Sequence, residues 1–255
     1  SGKTLAAFLF AVDRMMFEVR EQQPGCRILY VSPIKALAVD VERNLRAPLT
    51  GIKAVANRLE ISASDVTVAV RSGDTPPAER VRMRKQPPDI LITTPESLYL
   101  MLTSKAESIL STVEVVIVDE IHALVASKRG AHLFLSLERL ELARTIESPL
   151  QRIGLSATQR PLEEVARLLG GTQGAGDARH PRDVAIVDVG EKKALKLSVV
   201  VPTADMENFS DVAPDESDEE IHMEGMDSDG RARSIWPAVY PRLVAQIRSH
   251  RSTLI

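Results

Sequence analysis

Four residues at the head of the chain, Ser1-Gly2-Lys3-Thr4, have the side-chain types that hold phosphate groups. At the start of a helix, backbone N–H groups cradle phosphate oxygens, a lysine ammonium reaches the β- and γ-phosphates, and the hydroxyl after it ligates Mg²⁺. A G-K-T triplet alone is common. Here it leads into an apolar helix-like run, L-A-A-F-L-F-A-V, and V-I-V-D-E follows far downstream at the end of a buried-strand pattern. Asp119 is suited to hold a Mg²⁺ shell, directly or through water, and Glu120 to polarise an attacking water. An Asp-Glu pair also begins a helix favourably at its positive end. The two halves together point to a nucleotide site.

A second group of candidates consists of Ser32, Lys35, Thr94 and the R-S-G-D-T turn from Arg71 to Thr75. Backbone N–H groups and short hydroxyls at strand-to-helix turns approach a phosphate backbone closely without reading bases, so these residues are candidates for single-strand contact. R-S-G-D-T also reads as an ordinary tight turn. Thr94-Pro95 reads as a helix N-cap with proline at the first helical position, a role compatible with phosphate binding by that helix end. His122 follows the carboxylate pair, but no Cys or second His stands at zinc-like spacing from it. A hydrogen-bonding link towards Ser156 or Thr158 is expected instead.

The elements that must position these residues follow from periodicity. Short β-rich runs at 27–32, 66–70, 89–94, 113–120 and 152–158 alternate with helical-period segments at 34–45, 78–85, 96–102, 130–144 and 162–169. Near-continuous Val/Ile/Leu runs joined by helices predict strands buried on both faces, hence an α/β fold with a parallel sheet. Ligands of such sheets sit at the carboxyl ends of the strands. After a glycine-rich stretch at 170–176, expected to be a loop, two more strands are predicted at 184–189 and 195–202. Residues 236–250 read as a helix with Val239, Leu243 and Ile247 at helical spacing, and Trp236, Val239 and Leu243 are expected in a core. T-L-I at the end reads as the beginning of a strand, so both ends look cut from a longer protein.

Of the 255 residues, 44% are hydrophobic and 26% charged, within ordinary globular composition. No apolar run approaches the roughly 20 residues that span a bilayer, and a soluble, cytoplasmic protein without a membrane partner is expected. The single Cys26 fits a reducing compartment and reads as a semi-buried strand-edge thiol. Between Thr203 and Gly230 stand eleven Asp or Glu and no Lys or Arg; removing them from the net charge of -3 leaves the rest of the chain at about +8. A basic body suits a polyanion, although scattered surface charge gives the same sum.

Asp119-Glu120-Ile121-His122 resembles the D-E-x-H box of superfamily 2 helicases, and Ser156-Ala157-Thr158 resembles their S-A-T motif. Ser32-Pro33-Ile34-Lys35-Ala36-Leu37 resembles motif Ia, and Thr93-Thr94-Pro95-Glu96 resembles motif Ib. The strings at 128–140, 153–166 and 234–243 are similar to the large helicase-related (Lhr) branch. The resemblance implies a first RecA-like P-loop domain at 1–180, lacking its first strand and loop start. It also implies the start of a second RecA-like domain at 184–255, carrying a disordered acidic insertion at 203–232. It implies ATP and Mg²⁺ as cofactors, with Ser1, Gly2, Lys3 and Thr4 on ATP, Thr4 and Asp119 on the metal, and Lys3, Asp119 and Glu120 catalytic. His122, Ser156 and Thr158 would couple hydrolysis to movement, and Ser32, Lys35, Arg71, Thr75 and Thr94 would meet nucleic acid. The implied activity is ATP-dependent translocation and unwinding on single-stranded or partly duplex nucleic acid, with DNA favoured and a role in DNA repair or recombination. An RNA helicase, or a nucleic-acid-binding module without hydrolysis, remains an alternative. Since arginine fingers would come from later motifs of the second domain, the isolated chain is expected to be inactive.

Overall fold

The alternation of apolar runs and helical segments becomes three layers in a computed structural model that describes residues 2–18, 25–157, 160–174, 176–188, 197–201 and 235–254. In chain order come α1 (Lys3–Phe17), β1 (Ile28–Val31), α2 (Lys35–Arg58), β2 (Val68–Arg71), α3 (Pro77–Lys85), β3 (Ile90–Thr93) and α4 (Pro95–Leu102). They are followed by β4 (Val115–Val118), α5 (His122–Val125), α6 (Lys128–Ala143), β5 (Gln151–Gly154) and α7 (Leu162–Gly170). The five strands are parallel and lie in the order β2-β3-β1-β4-β5. All their carboxyl ends therefore share one rim.

Side chains alternate across each strand, and the sheet sorts them into two cores. Ile28, Tyr30, Ile90, Ile92, Val115 and Ile117 pack with Phe8 and Val12 of α1 and Ala38 and Leu45 of α2. Leu29, Val31, Leu91, Val116 and Val118 face the other way, onto Leu98 and Met101 of α4 and Leu133 and Leu137 of α6. Both faces of β1, β3 and β4 are covered, which is why these segments read as unbroken apolar runs. Each fully buried Val, Leu or Ile contributes about 1.5–3 kcal/mol. The outer strand β5 is tied down electrostatically as well: Arg152 donates to Glu138 at 2.7 Å and to Glu141 at 3.1 Å, both on α6.

Helix α2 continues to Arg58, well past the predicted end at 45, and carries Pro48 inside it. Proline in a helix interior costs about 3 kcal/mol. Beyond it Ala56 is buried and the half-buried Leu49 and Ile52 pack against the core, which offsets the lost backbone bond. The glycine-rich stretch is not wholly a loop, since β6 (Thr172–Gln173) pairs antiparallel with β7 (His180–Pro181).

The chain divides into two compact units, Ser1–Asp188 and Val189–Ile255. The predicted strands at 184–189 and 195–202 are corrected where they are described: 184–188 and 197–201 carry no strand, and Val187 and Val199 are exposed. Apolar β-formers without a hydrogen-bonded partner strand have no ladder to join. Residues 184–188 fall in the first unit, not the second. In the second unit α8 (Trp236–Ser249) forms as expected, but Trp236 is exposed and stacks on Tyr240 at 5.6 Å instead of entering a core. Val239 and Leu243 are half-buried. Among the described residues of this unit there is no sheet for that apolar stripe to cover. Ser1, Thr158 and the acidic segment 203–232 lie outside the described residues. Among the described residues no helix is long and apolar enough to cross a membrane.

Candidate nucleotide and nucleic-acid site

Gly2 caps α1, and the Lys3 ammonium leaves the helix start to donate to the backbone carbonyl of Ser156 at 2.6 Å. Residues 3 and 156 meet because β5 delivers the S-A-T segment to the same rim. Asp119 follows directly after β4 and is buried, with its own N–H on the Val31 carbonyl at 3.0 Å. Its carboxylate is gripped at both oxygens: Oδ1 accepts the Glu120 N–H at 2.9 Å, and Oδ2 accepts the Tyr30 hydroxyl. Glu120 itself has a left-handed backbone, φ 45°, which turns the chain sharply after the carboxylate pair and aims the next amide at β5. For a non-glycine residue that conformation costs about 1–3 kcal/mol and persists only where the surroundings hold it. Here the Ile121 N–H on the Leu155 carbonyl, at 2.9 Å, helps to hold it.

His122 begins α5 with Nδ1 3.2 Å from Glu120 Oε2 and 3.4 Å from the Ala157 N–H. The expected link to S-A-T is therefore made through the Ala157 amide and not through the Ser156 hydroxyl. One ring nitrogen cannot serve both neighbours at once: protonated, Nδ1 donates to Glu120, and unprotonated it accepts from Ala157. The Ser156 hydroxyl is buried without a hydrogen-bond partner among the described residues.

The other half of the rim holds the second group of candidates. Ser32, Thr94 and the 72–75 turn follow β1, β3 and β2, three neighbouring strands, and are laced together by Ser32 N–H on Thr93 O at 2.9 Å and Thr93 Oγ1 on Arg71 O at 2.7 Å. Ser32, Thr75 and Thr94 are buried, and their hydroxyls are engaged locally. Ser32 Oγ donates to Ile34 O at 3.0 Å, Thr75 Oγ1 accepts the Ser72 N–H at 2.9 Å, and Thr94 Oγ1 donates to Ser97 Oγ at 3.2 Å. These side chains shape turns. Thr94 holds the N-cap position with Pro95 behind it, but its hydroxyl caps no helix N–H.

The candidate cations on this half are Lys35, which pairs with Asp74 at 2.8 Å, and Arg71. Arg71 Nη1 is buried without a hydrogen-bond partner among the described residues, and burial, with nearby Arg80, pulls its pKa below the ordinary arginine value. Arg80 braces the turn by donating to the carbonyls of Thr75 and Gly73, each at 2.7 Å.

Residues 1–166 match the model of the DEAD/DEAH box helicase family. The chain belongs to that family. It is 51% identical over 255 residues to the Lhr helicase/probable uracil glycosylase of Mycolicibacterium smegmatis, covering all of this chain and 15% of that protein. It is 46% identical over 261 residues to the Lhr helicase/uracil glycosylase of Escherichia coli, covering 16% of it. A solved structure of Mycobacterium smegmatis helicase Lhr bound to ssDNA and AMP-PNP superposes at a TM-score of 0.71 with 51% identity, over 99% of this chain and 28% of that one. The DEAD-box helicase Mss116, 18% identical at a TM-score of 0.53 over 66% of this chain, shares the fold. The chain spans about a sixth of the length of the two bacterial relatives.

Within this DEAD/DEAH box domain, sequence reasoning missed Tyr30, which reads as one more apolar residue of a strand, and Arg80, which reads as surface charge on α3. It also missed the pairing of Glu96, in the T-T-P-E string, with Arg129 of α6; Arg129 Nη2 donates to Glu96 Oε2 at 2.9 Å and holds that carboxyl down at about 2. Cys26 is fully buried, not semi-buried, and burial pushes its thiol up to about 12.

Proposed function

We propose that the chain forms the ATP-binding part of a helicase that moves along single-stranded DNA, within a longer protein. The observation that carries this reading is the division of a single rim. Residues suited to a triphosphate lie at α1, β4 and β5, residues suited to a sugar-phosphate backbone lie at β2, β3 and β1, and the two sets meet at the centre of the sheet. The M. smegmatis helicase Lhr, seen with ssDNA and AMP-PNP, supports DNA and ATP as the two ligands.

In this reading Ser1, Gly2, Lys3 and Thr4 bind the triphosphate through backbone N–H groups and the Lys3 ammonium. Mg²⁺ suits the donor set: the Asp119 carboxylate and the Thr4 hydroxyl both neighbour the Tyr30 phenol, bringing together one carboxylate and one hydroxyl oxygen. When bound, the ion offsets charge on the phosphates. Glu120 orients the attacking water and takes its proton. His122, touching Glu120 and Ala157, and the S-A-T residues Ser156 and Thr158 pass the change at the nucleotide towards the strand. Lys35 and Arg71 meet the nucleic-acid backbone, while Ser32, Thr75 and Thr94 hold the turns that present backbone N–H groups to it. The unit from Val189 onward is the start of a second RecA-like domain.

ATPase assays on the full-length parent with single-stranded DNA and single-stranded RNA at matched salt test the reading. DNA is expected to stimulate and RNA not to. Glu120→Gln should abolish turnover, by on the order of 10²-fold or more, with nucleotide binding retained. Equal stimulation by RNA would sink the DNA assignment, and surviving turnover would sink the role of Glu120.

A further inference from the structure

We infer that Tyr30 is a positioning residue for Asp119, clamping its carboxylate through the phenol hydroxyl. The inference rests on the reading that Asp119 and Thr4 hold the metal of the nucleotide site. Tyr30 is fully buried on the central strand β1, directly beside Ile117 of β4 and Ile92 of β3. Phenylalanine would fill the same space without a polar group, and a buried hydroxyl is costly unless it finds a partner. Here it finds Asp119 Oδ2, while the Thr4 hydroxyl is a hydrogen-bonding neighbour of the same phenol oxygen.

The carboxylate is thus held from two sides, by the Glu120 amide on Oδ1 and by the phenol on Oδ2, and its rotation about the terminal side-chain bond is blocked. The ring is itself fixed by Phe8 of α1, stacked at 5.2 Å with an interplanar angle of 20°. Phe8 lies one helical turn beyond Thr4, so the same ring sets how α1 sits against the strand bearing Asp119. Removal of the hydroxyl alone leaves one clamp and a buried carboxylate oxygen without its donor.

The test uses the full-length parent, Mn²⁺ as a spectroscopically visible substitute for Mg²⁺, and a non-hydrolysable ATP analogue. Tyr30→Phe, which keeps the ring and its stack, should weaken Mn²⁺ binding in the analogue complex by about 10-fold, in line with the loss of a group that orients a metal ligand. Affinity for the analogue without metal should stay unchanged. In an Asp119→Asn background Tyr30→Phe should cause no further loss, which a packing defect would not reproduce. Unchanged Mn²⁺ affinity in Tyr30→Phe, while Asp119→Asn weakens it, would overturn the positioning role and leave Asp119 as a ligand. An equal further loss in the Asn background would assign Tyr30 to packing alone. If Asp119→Asn itself leaves Mn²⁺ affinity unchanged, the underlying metal-site reading falls and the inference with it.

Discussion

Replacing Gly130 by alanine should destabilise the first unit, although it puts the best helix former into a helix. Gly130 lies in the first turn of α6, and a Cβ built on it stands 1.9 Å from the Leu124 carbonyl oxygen and 2.5 Å from its carbon. The oxygen must retreat by about 1.5 Å to reach an ordinary 3.4 Å contact. It is backbone, held by the Ser127 N–H at 3.0 Å and the Ser127 hydroxyl at 2.7 Å. Ser127 in turn caps α6 by accepting the Gly130 N–H at 3.0 Å. Disturbing three bonds of roughly 1 kcal/mol each costs about 3 kcal/mol, against about 1 kcal/mol gained from helix propensity. The net is a loss of about 2 kcal/mol, or a melting temperature lower by about 4–8 °C. Gly51 of α2 is the control, since nothing lies within 4 Å of its Cβ position. Gly51→Ala should stabilise by about 0.5–1 kcal/mol. Thermal denaturation followed by circular dichroism reads both variants, and two shifts of the same sign would show that the backbone contact at Gly130 does not govern its cost.

Lys3→Ala in the full-length parent should weaken binding of an ATP analogue by roughly 10- to 100-fold, the loss of a charge-assisted bond, as read by calorimetry; unchanged affinity would remove Lys3 from the phosphate site. The Glu96–Arg129 pair should stabilise the fold above about pH 4.5 and lose that contribution as pH falls towards 2, because Glu96 titrates lower when folded than its ordinary 4.5. The shift at full strength equals about 3 kcal/mol, but the two side chains are 57% and 39% exposed, so solvent screening leaves about 1 kcal/mol. Denaturant titrations of wild type and Arg129→Gln should differ at pH 6 and converge near pH 2, and a gap that persists in acid would disprove the ion-pair origin.

The sheet was legible because β1, β3 and β4 are covered on both faces, which leaves Val, Ile and Leu as the residues that fit there. Helix α2 runs past the segment read at 34–45 because the packing of Leu49 and Ile52, which offsets the local penalty of Pro48, depends on α1 and the sheet and is not visible in local periodicity. The strands expected at 184–189 and 195–202 failed where they are described because alternation and β-branching report willingness to pair, not the presence of a partner. At the site, residue types and spacing named Lys3, Asp119 and Glu120 as candidates, and the structure places Lys3 at the start of α1 and the two carboxylates directly after β4. Types and spacing could not show that Ser32, Thr75 and Thr94 spend their hydroxyls on the turns, nor that Glu120 sits at positive φ. Tyr30 was hidden because a tyrosine within an apolar strand is indistinguishable from core until Asp119 is placed beside its hydroxyl.

In the proposed site, the Lys3 ammonium that would meet the γ-phosphate already donates to the Ser156 carbonyl, so nucleotide and S-A-T segment share one cation. There an incoming γ-phosphate and the carbonyl both draw on one ammonium, so the carbonyl acts as a partial competitor and lowers the measured affinity. Anything that draws the S-A-T segment away from α1 removes the competitor and tightens nucleotide binding. By thermodynamic reciprocity, nucleotide binding frees that segment by the same factor. On that reading a single 2.6 Å bond couples the state of S-A-T to the occupancy of the phosphate loop.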